Sequence, residues 1–297
     1  MCKILAIAGI KSSNVTKAWK FVAAVTPYLS ANDKDGVGYA AQTRNGLFGE
    51  RWISPKDAFK YRKPFLREDQ NLLDTFRGSL TGTSRYNSFG TPVENKDEMH
   101  AIILHARMAT CGVSLDNTHP FVRDNTALIH NGVIRNTPSL TNITSTCDSE
   151  CILNEYITQD VPNNPEAIDL VTDPLVGYYA CAVLTTDDKG KQYLDLFRDD
   201  QMATLYAIYV KELQTVVFCT KPEIIRAALK DLKWKSGSTL RVEPGRMLRV
   251  DAVTGEFLSM WEFTHHSSSW QHPAHYAATT RAIGSSASIC SKNNQGE

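Results

Sequence analysis

Apolar residues along this chain fall in short blocks, some alternating with polar ones and some at helical spacing. The opening run Ile4-Leu5-Ala6-Ile7-Ala8 predicts a buried strand over residues 2–10. Residues 16–29 place Trp19, Val22, Ala23 and Val25 on one face and predict a helix. The segment Asn32-Asp33-Lys34-Asp35-Gly36-Val37-Gly38 reads as a turn entering a strand over 39–43. Residues 46–98 hold no sustained period, so loops and short helices covering one end of the domain are expected there. Strands are predicted at 102–106 and 127–134, the second broken at Asn131-Gly132. Residues 148–156 predict a helix whose acidic first turn suits the positive end of the helix dipole. A strongly apolar strand follows at 176–185, then strands at 195–198, 205–210 and 215–220 in antiparallel series. A helix at 222–229 and a hairpin of 247–251 with 257–262, turning at Val253-Thr254-Gly255, complete the pattern. From Thr264 the composition shifts to Ser, His, Ala and Thr. One domain is expected over 2–262, with a flexible tail over 263–297.

Composition narrows the function classes. Lys plus Arg equals Asp plus Glu at 32 each, which gives no reason to expect a nucleic acid or an anionic membrane as partner. No apolar run approaches the length of a membrane span, and Lys11-Ser12-Ser13 after the first apolar run does not resemble a signal-peptide cleavage site. Seven cysteines at irregular spacing read as free thiols in a reducing cytoplasm. Cys147 and Cys151 fit no standard zinc spacing and no second ligand pair follows, so no metal is expected.

Candidate chemistry begins at residue 2. Removal of Met1 would leave Cys2 with a thiol and a free α-amine on one residue. An α-amine titrates near pH 7.7–8.0, roughly where a base must work. A thiol is intrinsically nucleophilic and needs only such a base. Three later segments add to it. Arg107 leaves a strand end in His105-Ala106-Arg107-Met108-Ala109-Thr110, where it can clamp a carboxylate or can sit in a surface ion pair. Asn131-Gly132 offers a side-chain amide and an unhindered N–H, the parts of an oxyanion hole, or else a simple bulge. Asp148 begins a helix, where it can receive an ammonium or can cap the helix.

Taken in order, these segments resemble the class II glutamine amidotransferases, whose mature chains begin with cysteine. The resemblance rests on Cys2, His105-Ala106-Arg107-Met108-Ala109-Thr110, His119-Pro120, His130-Asn131-Gly132-Val133-Ile134-Arg135-Asn136 and Asp148-Ser149-Glu150. Weaker echoes lie at Asp35-Gly36-Val37-Gly38, Gly177-Tyr178-Tyr179-Ala180, Phe197-Arg198-Asp199 and 244–255. The resemblance implies an α+β fold: a four-layer α-β-β-α sandwich of the N-terminal-nucleophile hydrolase type, with two mostly antiparallel sheets. It implies hydrolysis of glutamine to glutamate and ammonia through a thioester on Cys2. Arg107 then holds the α-carboxylate, Asp148 the α-ammonium, and Asn131 with Gly132 the oxyanion. Thr110 contacts the glutamine. His105, His119 and His130 read as structural. No cofactor is implied.

Departures from the family pattern are specific. Lys3 stands where glycine is usual, Asn32-Asp33 where Arg-Gly is usual, and Met108 and Cys111 where Trp and His are usual. No synthase domain is recognisable after residue 263. The expectation is therefore a stand-alone subunit that supplies ammonia to a separate synthase, docking through the 46–100 region. Hydrolysis of another amide, or a non-catalytic glutamine-binding module, are the alternatives.

Overall fold

Alternation along the strands builds the architecture. A computed structural model of the protein describes residues 2–33, 35–53, 89–90, 99–109, 112–136, 143, 145–199 and 202–264. In the strand β1 (Lys3–Ile7), Leu5 and Ile7 enter one core while Ile4 and Ala6 enter another. A strand buried on both faces must be apolar at nearly every position, and this one is. It lies inside an eight-stranded sheet, between β5 (Ala101–Arg107) and β11 (Thr215–Cys219). The sheet continues through β2 (Gly36–Thr43), β3 (Gly46–Trp52) and β4 (Phe89–Gly90) on one side. On the other it ends with β10 (Tyr206–Val210) and β12 (Ser236–Arg241).

The second sheet has six strands, in the order β14 (Phe257–Glu262), β13 (Arg246–Asp251), β9 (Gln192–Arg198), β8 (Gly177–Thr186), β7 (Thr126–Ile134) and β6 (Phe121–Arg123). All described pairings in both sheets are antiparallel. Between the sheets lies a core of Ile4, Ala6, Ile103, Ile129, Ala182 and Leu196. Helices α1 (Val15–Leu29) and α4 (Pro222–Leu232) cover the outer face of the larger sheet, burying Trp19, Phe21, Val25 and Ile225 against Leu5 and Ile7. Helices α2 (Ser149–Thr158) and α3 (Ile168–Thr172) cover the smaller one, burying Ile152 and Val171 against Leu128 and Val183. The protein is thus an α+β sandwich of two antiparallel sheets flanked by helices.

Several expectations need correction. Residues 46–52 form strand β3 rather than a loop, because the pairing with β2 runs without interruption from Thr43↔Gly46 to Val37↔Trp52. Residues 54–88 and 91–98, the rest of that region and most of the expected docking surface, lie outside the described residues. Strand β7 is not broken at Asn131-Gly132; its register with β8 passes through Asn131↔Ala180 and Gly132↔Tyr179. The polar strand β12 carries no apolar alternation and exists as the partner of β10. Phe263 is buried beside Phe197, with its N–H donating to the Gly245 carbonyl at 2.9 Å. Of the expected tail, residues 265–297 lie outside the described residues.

Candidate active site

Cys2 leads directly into β1. Side chains alternate along a strand, so Cys2 shares the inter-sheet face of Ile4. The register Lys3↔Ala106 continues to place Cys2 opposite Arg107 at the end of β5. The Cys2 thiol meets the main chain of Met108: the Met108 N–H donates to Sγ at 3.4 Å, and the thiol points back to the Met108 carbonyl at 3.4 Å. Burial pushes the thiol pKa up; the Met108 contact opposes that rise, Asp33 adds to it and Arg107 counters it. The resting group is therefore a protonated thiol that needs a base.

Arg107 is 2% exposed, which removes the reading of a surface ion pair. Its Nη2 donates to the Gly112 carbonyl at 3.1 Å. That carbonyl also accepts from Asn117 Nδ2 at 2.9 Å, and the same amide reaches Thr146 Oγ1 at 2.8 Å. The Thr146 N–H donates back to Asn117 Oδ1 at 3.1 Å. Asn117 therefore ties the loop after Arg107 to the turn that begins α2. Thr110, the other expected glutamine contact, and Cys111 lie outside the described residues.

Asp148 occupies the position before α2, yet its side chain makes no cap hydrogen bond. Instead Oδ2 accepts from the Ile134 N–H at 2.7 Å. The carboxylate is spent on the end of β7, not on its own helix. Between Asp148 and β5 sits β7 itself, with Asn131 on the inter-sheet face beside Ile129. Asn131 is 4% exposed, and its Oδ1 has no hydrogen-bond partner among the described residues. Strand β6 pairs with β7 only as far as Leu128. Beyond it, the described residues give β7 no strand on that side, and alternate N–H groups of an antiparallel strand point there. At Gly132 a Cβ would lie 2.0 Å from the Tyr178 carbonyl oxygen and 2.6 Å from His130 Nε2, so any side chain is excluded.

The three histidines hold these elements in register. His105 on β5 donates from Nε2 across the gap to the His130 carbonyl on β7 at 3.0 Å. His130 Nδ1 pairs with Ser149 Oγ, at the start of α2, at 2.9 Å. His119 stacks on His105 with ring centroids 3.9 Å apart. Its carbonyl oxygen lies where a Cβ on Gly38 would be only 2.2 Å away, which accounts for a glycine at that position of β2. Burial holds His105 down to about 3, with His130 and Arg107 adding to the fall, although the bond to the His130 carbonyl opposes it. His119 and His130 are lowered as well, again chiefly by burial. These rings are neutral and act as spacers and crosslinks between layers.

The structure thus brings Cys2, Arg107 and Asn131 to the same inter-sheet gap, with Asp148 joined to it through β7. Sequence reading missed Asn117, whose only signal was its position two residues before His119-Pro120. It also missed the role of Asp35, whose Oδ2 accepts from the Ala109 N–H at 2.8 Å. Lys3 and Asp33, noted as separate departures, are a buried ion pair at 2.7 Å.

No protein-family model matches this chain, and no curated protein matches it in sequence. Solved structures do match. One is glutamine phosphoribosylpyrophosphate amidotransferase from B. subtilis, complexed with ADP and GMP. It superposes with a TM-score of 0.59 at 16% identity, over 89% of this chain and 50% of that one. Another, described as the allosteric regulatory enzyme of purine biosynthesis, gives 0.57 at 16% identity, over 90% of this chain and 50% of that one. The chain spans about half the length of each. At such identity the likeness is one of fold.

Proposed function

We propose that this protein hydrolyses glutamine to glutamate and ammonia through Cys2, after removal of Met1. The observation that carries the reading is the convergence of a half-buried thiol, a buried arginine and a buried amide with an unpartnered oxygen on one gap between the sheets. A buried amide oxygen without a partner costs roughly 1–3 kcal/mol. Such a cost is retained where a ligand donor offsets it, and the carboxamide N–H of glutamine is a donor.

The steps follow from the groups present. The freed α-amine of Cys2 takes the thiol proton, which a thiol made less acidic by burial requires. The sulfur attacks the side-chain carboxamide carbon of glutamine. The carbonyl oxygen becomes an oxyanion, stabilised by the Asn131 side-chain N–H and the Gly132 N–H. Collapse breaks the C–N bond; the α-ammonium gives its proton to the departing nitrogen, and ammonia leaves a γ-glutamyl thioester. Water, deprotonated by the same amine, cleaves the thioester to glutamate. Arg107 pairs with the α-carboxylate and Asp148 with the α-ammonium, with Thr110 as a further contact. A pocket built for both charged ends rejects amides that lack them, because its own groups are then unpaired.

The proposal extends to a separate ammonia-consuming synthase as partner, in the cytoplasm. Its support is the likeness in fold to a solved glutamine amidotransferase.

The test is the intact mass of the purified protein before and after 6-diazo-5-oxo-L-norleucine, a glutamine analogue that alkylates nucleophilic cysteines. Loss of Met1 and one stoichiometric adduct on Cys2 are expected. Retained Met1 with no adduct overturns the reading and leaves glutamine binding without chemistry as its successor.

A further inference from the structure

Lys3 is a lysine inside a sheet. Its neighbours on that face of β1 are Leu5 and Ile7, packed under α1. Its ammonium is 5% exposed as a residue and donates to two acceptors only among the described contacts: the Leu29 carbonyl at 3.0 Å and Asp33 Oδ2 at 2.7 Å. Leu29 is the last residue of α1, where the helix presents carbonyls and a negative dipole end. Asp33 is 1% exposed. A buried ion pair is no gain in stability over apolar residues of the same volume. Its presence one residue from the nucleophile calls for another reason.

The contacts around the pair form a closed circuit. Lys3 grips Asp33. Two residues on, the Asp35 N–H donates to the Arg107 carbonyl at 3.1 Å, and its carboxylate accepts from the Ala109 N–H at 2.8 Å. Between those two residues stands Met108, whose N–H and carbonyl both meet the Cys2 sulfur at 3.4 Å. Cys2 is covalently joined to Lys3, and the ring closes. Opening it at Lys3–Asp33 frees Asp33 from β1 and lets the Met108 segment drift from the thiol.

We infer that Lys3 and Asp33 are a positioning pair that latches the Cys2 thiol in place opposite Arg107. The latch has an electrostatic side too. The charges acting on the thiol are Asp33, which makes it less acidic, and the amino terminus and Arg107, which make it more so. Lys3 neutralises Asp33 directly, and Asp35 lies on the far side of the circuit against Ala109.

The inference deepens the proposed glutaminase, and its turnover arm rests on that reading; its thiol arm does not. The experiment measures the rate of Cys2 alkylation by iodoacetamide against pH, mapped by peptide mass, in Lys3→Met, Asp33→Asn and the double variant. Lys3→Met leaves Asp33 uncompensated and moves the profile to higher pH. Asp33→Asn leaves a cation and moves it to lower pH. The double variant, neutral and of similar volume, folds and returns the midpoint, but its high-pH plateau rises as the thiol leaves Met108. With glutamine, the double variant loses kcat by about a hundredfold, the scale of a misplaced reacting group, while KM stays close to wild type. Unshifted single-variant profiles, or a double variant with a wild-type plateau and kcat, overturn the latch. If the single variants fail to fold, the double variant's plateau decides alone. A wild-type protein that never hydrolyses glutamine overturns the glutaminase and leaves the alkylation result standing.

Discussion

Two buried polar clusters, one on the smaller sheet and one between the two sheets, are built to opposite rules. In the first, Arg249 engages four of its five N–H donors. Its Nε and Nη2 donate to the Asp195 carboxylate at 2.8 and 2.6 Å, and Nη1 and Nη2 reach the carbonyls of Pro162 and Val161 at 3.1 and 2.9 Å. The Tyr156 hydroxyl donates to the same carboxylate, and the Tyr193 ring lies 4.4 Å from the guanidinium. In the second, Asn131 Oδ1, His105 Nδ1 and both ring nitrogens of His119 are buried with no partner among the described residues. The first cluster crosslinks β9 and β13 to the segment after α2 and has little left to offer a ligand. The second keeps capacity in reserve at a cost in stability. Under the proposed function, the unsatisfied cluster is the one where a substrate gains by binding.

Breaking each cluster separates the two rules. Arg249→Met leaves Asp195 charged, 0% exposed and short of its ion-pair partner, and is expected to cost about 3–5 kcal/mol. Urea unfolding measures it, and a loss below about 1 kcal/mol would make the cluster ornamental. Turnover per folded molecule should not change.

Asn131→Ala should do the reverse. Loss of one oxyanion donor lowers turnover roughly a hundredfold to a thousandfold. It also deletes an amide oxygen that satisfied nothing, so unfolding stability should stay near wild type. A large rise in KM with unchanged kcat would instead make Asn131 a binding residue.

The smallest effect is a slope. His105 is held to about 3 when folded, against about 6.5 in an unfolded chain. The unfolded state binds the proton first, so stability is whole above pH 6.5 and falls as pH drops toward 3. From pH 8 to pH 5, His105 alone should remove about 2 kcal/mol. His119 and His130 are lowered too and act in the same direction. Urea midpoints across that range give the slope, and His105→Asn should flatten it. An unchanged slope in that variant would mean that other groups carry the acid sensitivity.

Much of the scaffold was legible beforehand because it depends on local pattern. The helix α1 was readable from Trp19, Val22 and Val25, which the fold buries. The strands β1, β5 and β8 were readable from apolar runs that only a doubly covered sheet can hide. Strand β3 and the polar β12 were not, because their pairing energy comes from β2 and β10 rather than from their own residues. Asn131-Gly132 looked like a break because glycine weakens strands. In place, the missing Cβ is what lets the Tyr178 backbone approach, and the ladder continues.

By itself, then, the sequence determined which faces must be buried, where three of the four described α-helices begin, and which residue types were at hand for a thiol-based reaction on an amino-acid amide. Those are properties of neighbours in the chain. Only the tertiary structure decided that Arg107 is buried, that Asp148 serves β7 instead of its own helix, and that Lys3 meets Asp33 beneath α1. Each depends on partners 14 to 30 residues away or on whole layers closing over them. A side chain's chemistry is local, but its desolvation and its partner are set by whatever the fold packs against it.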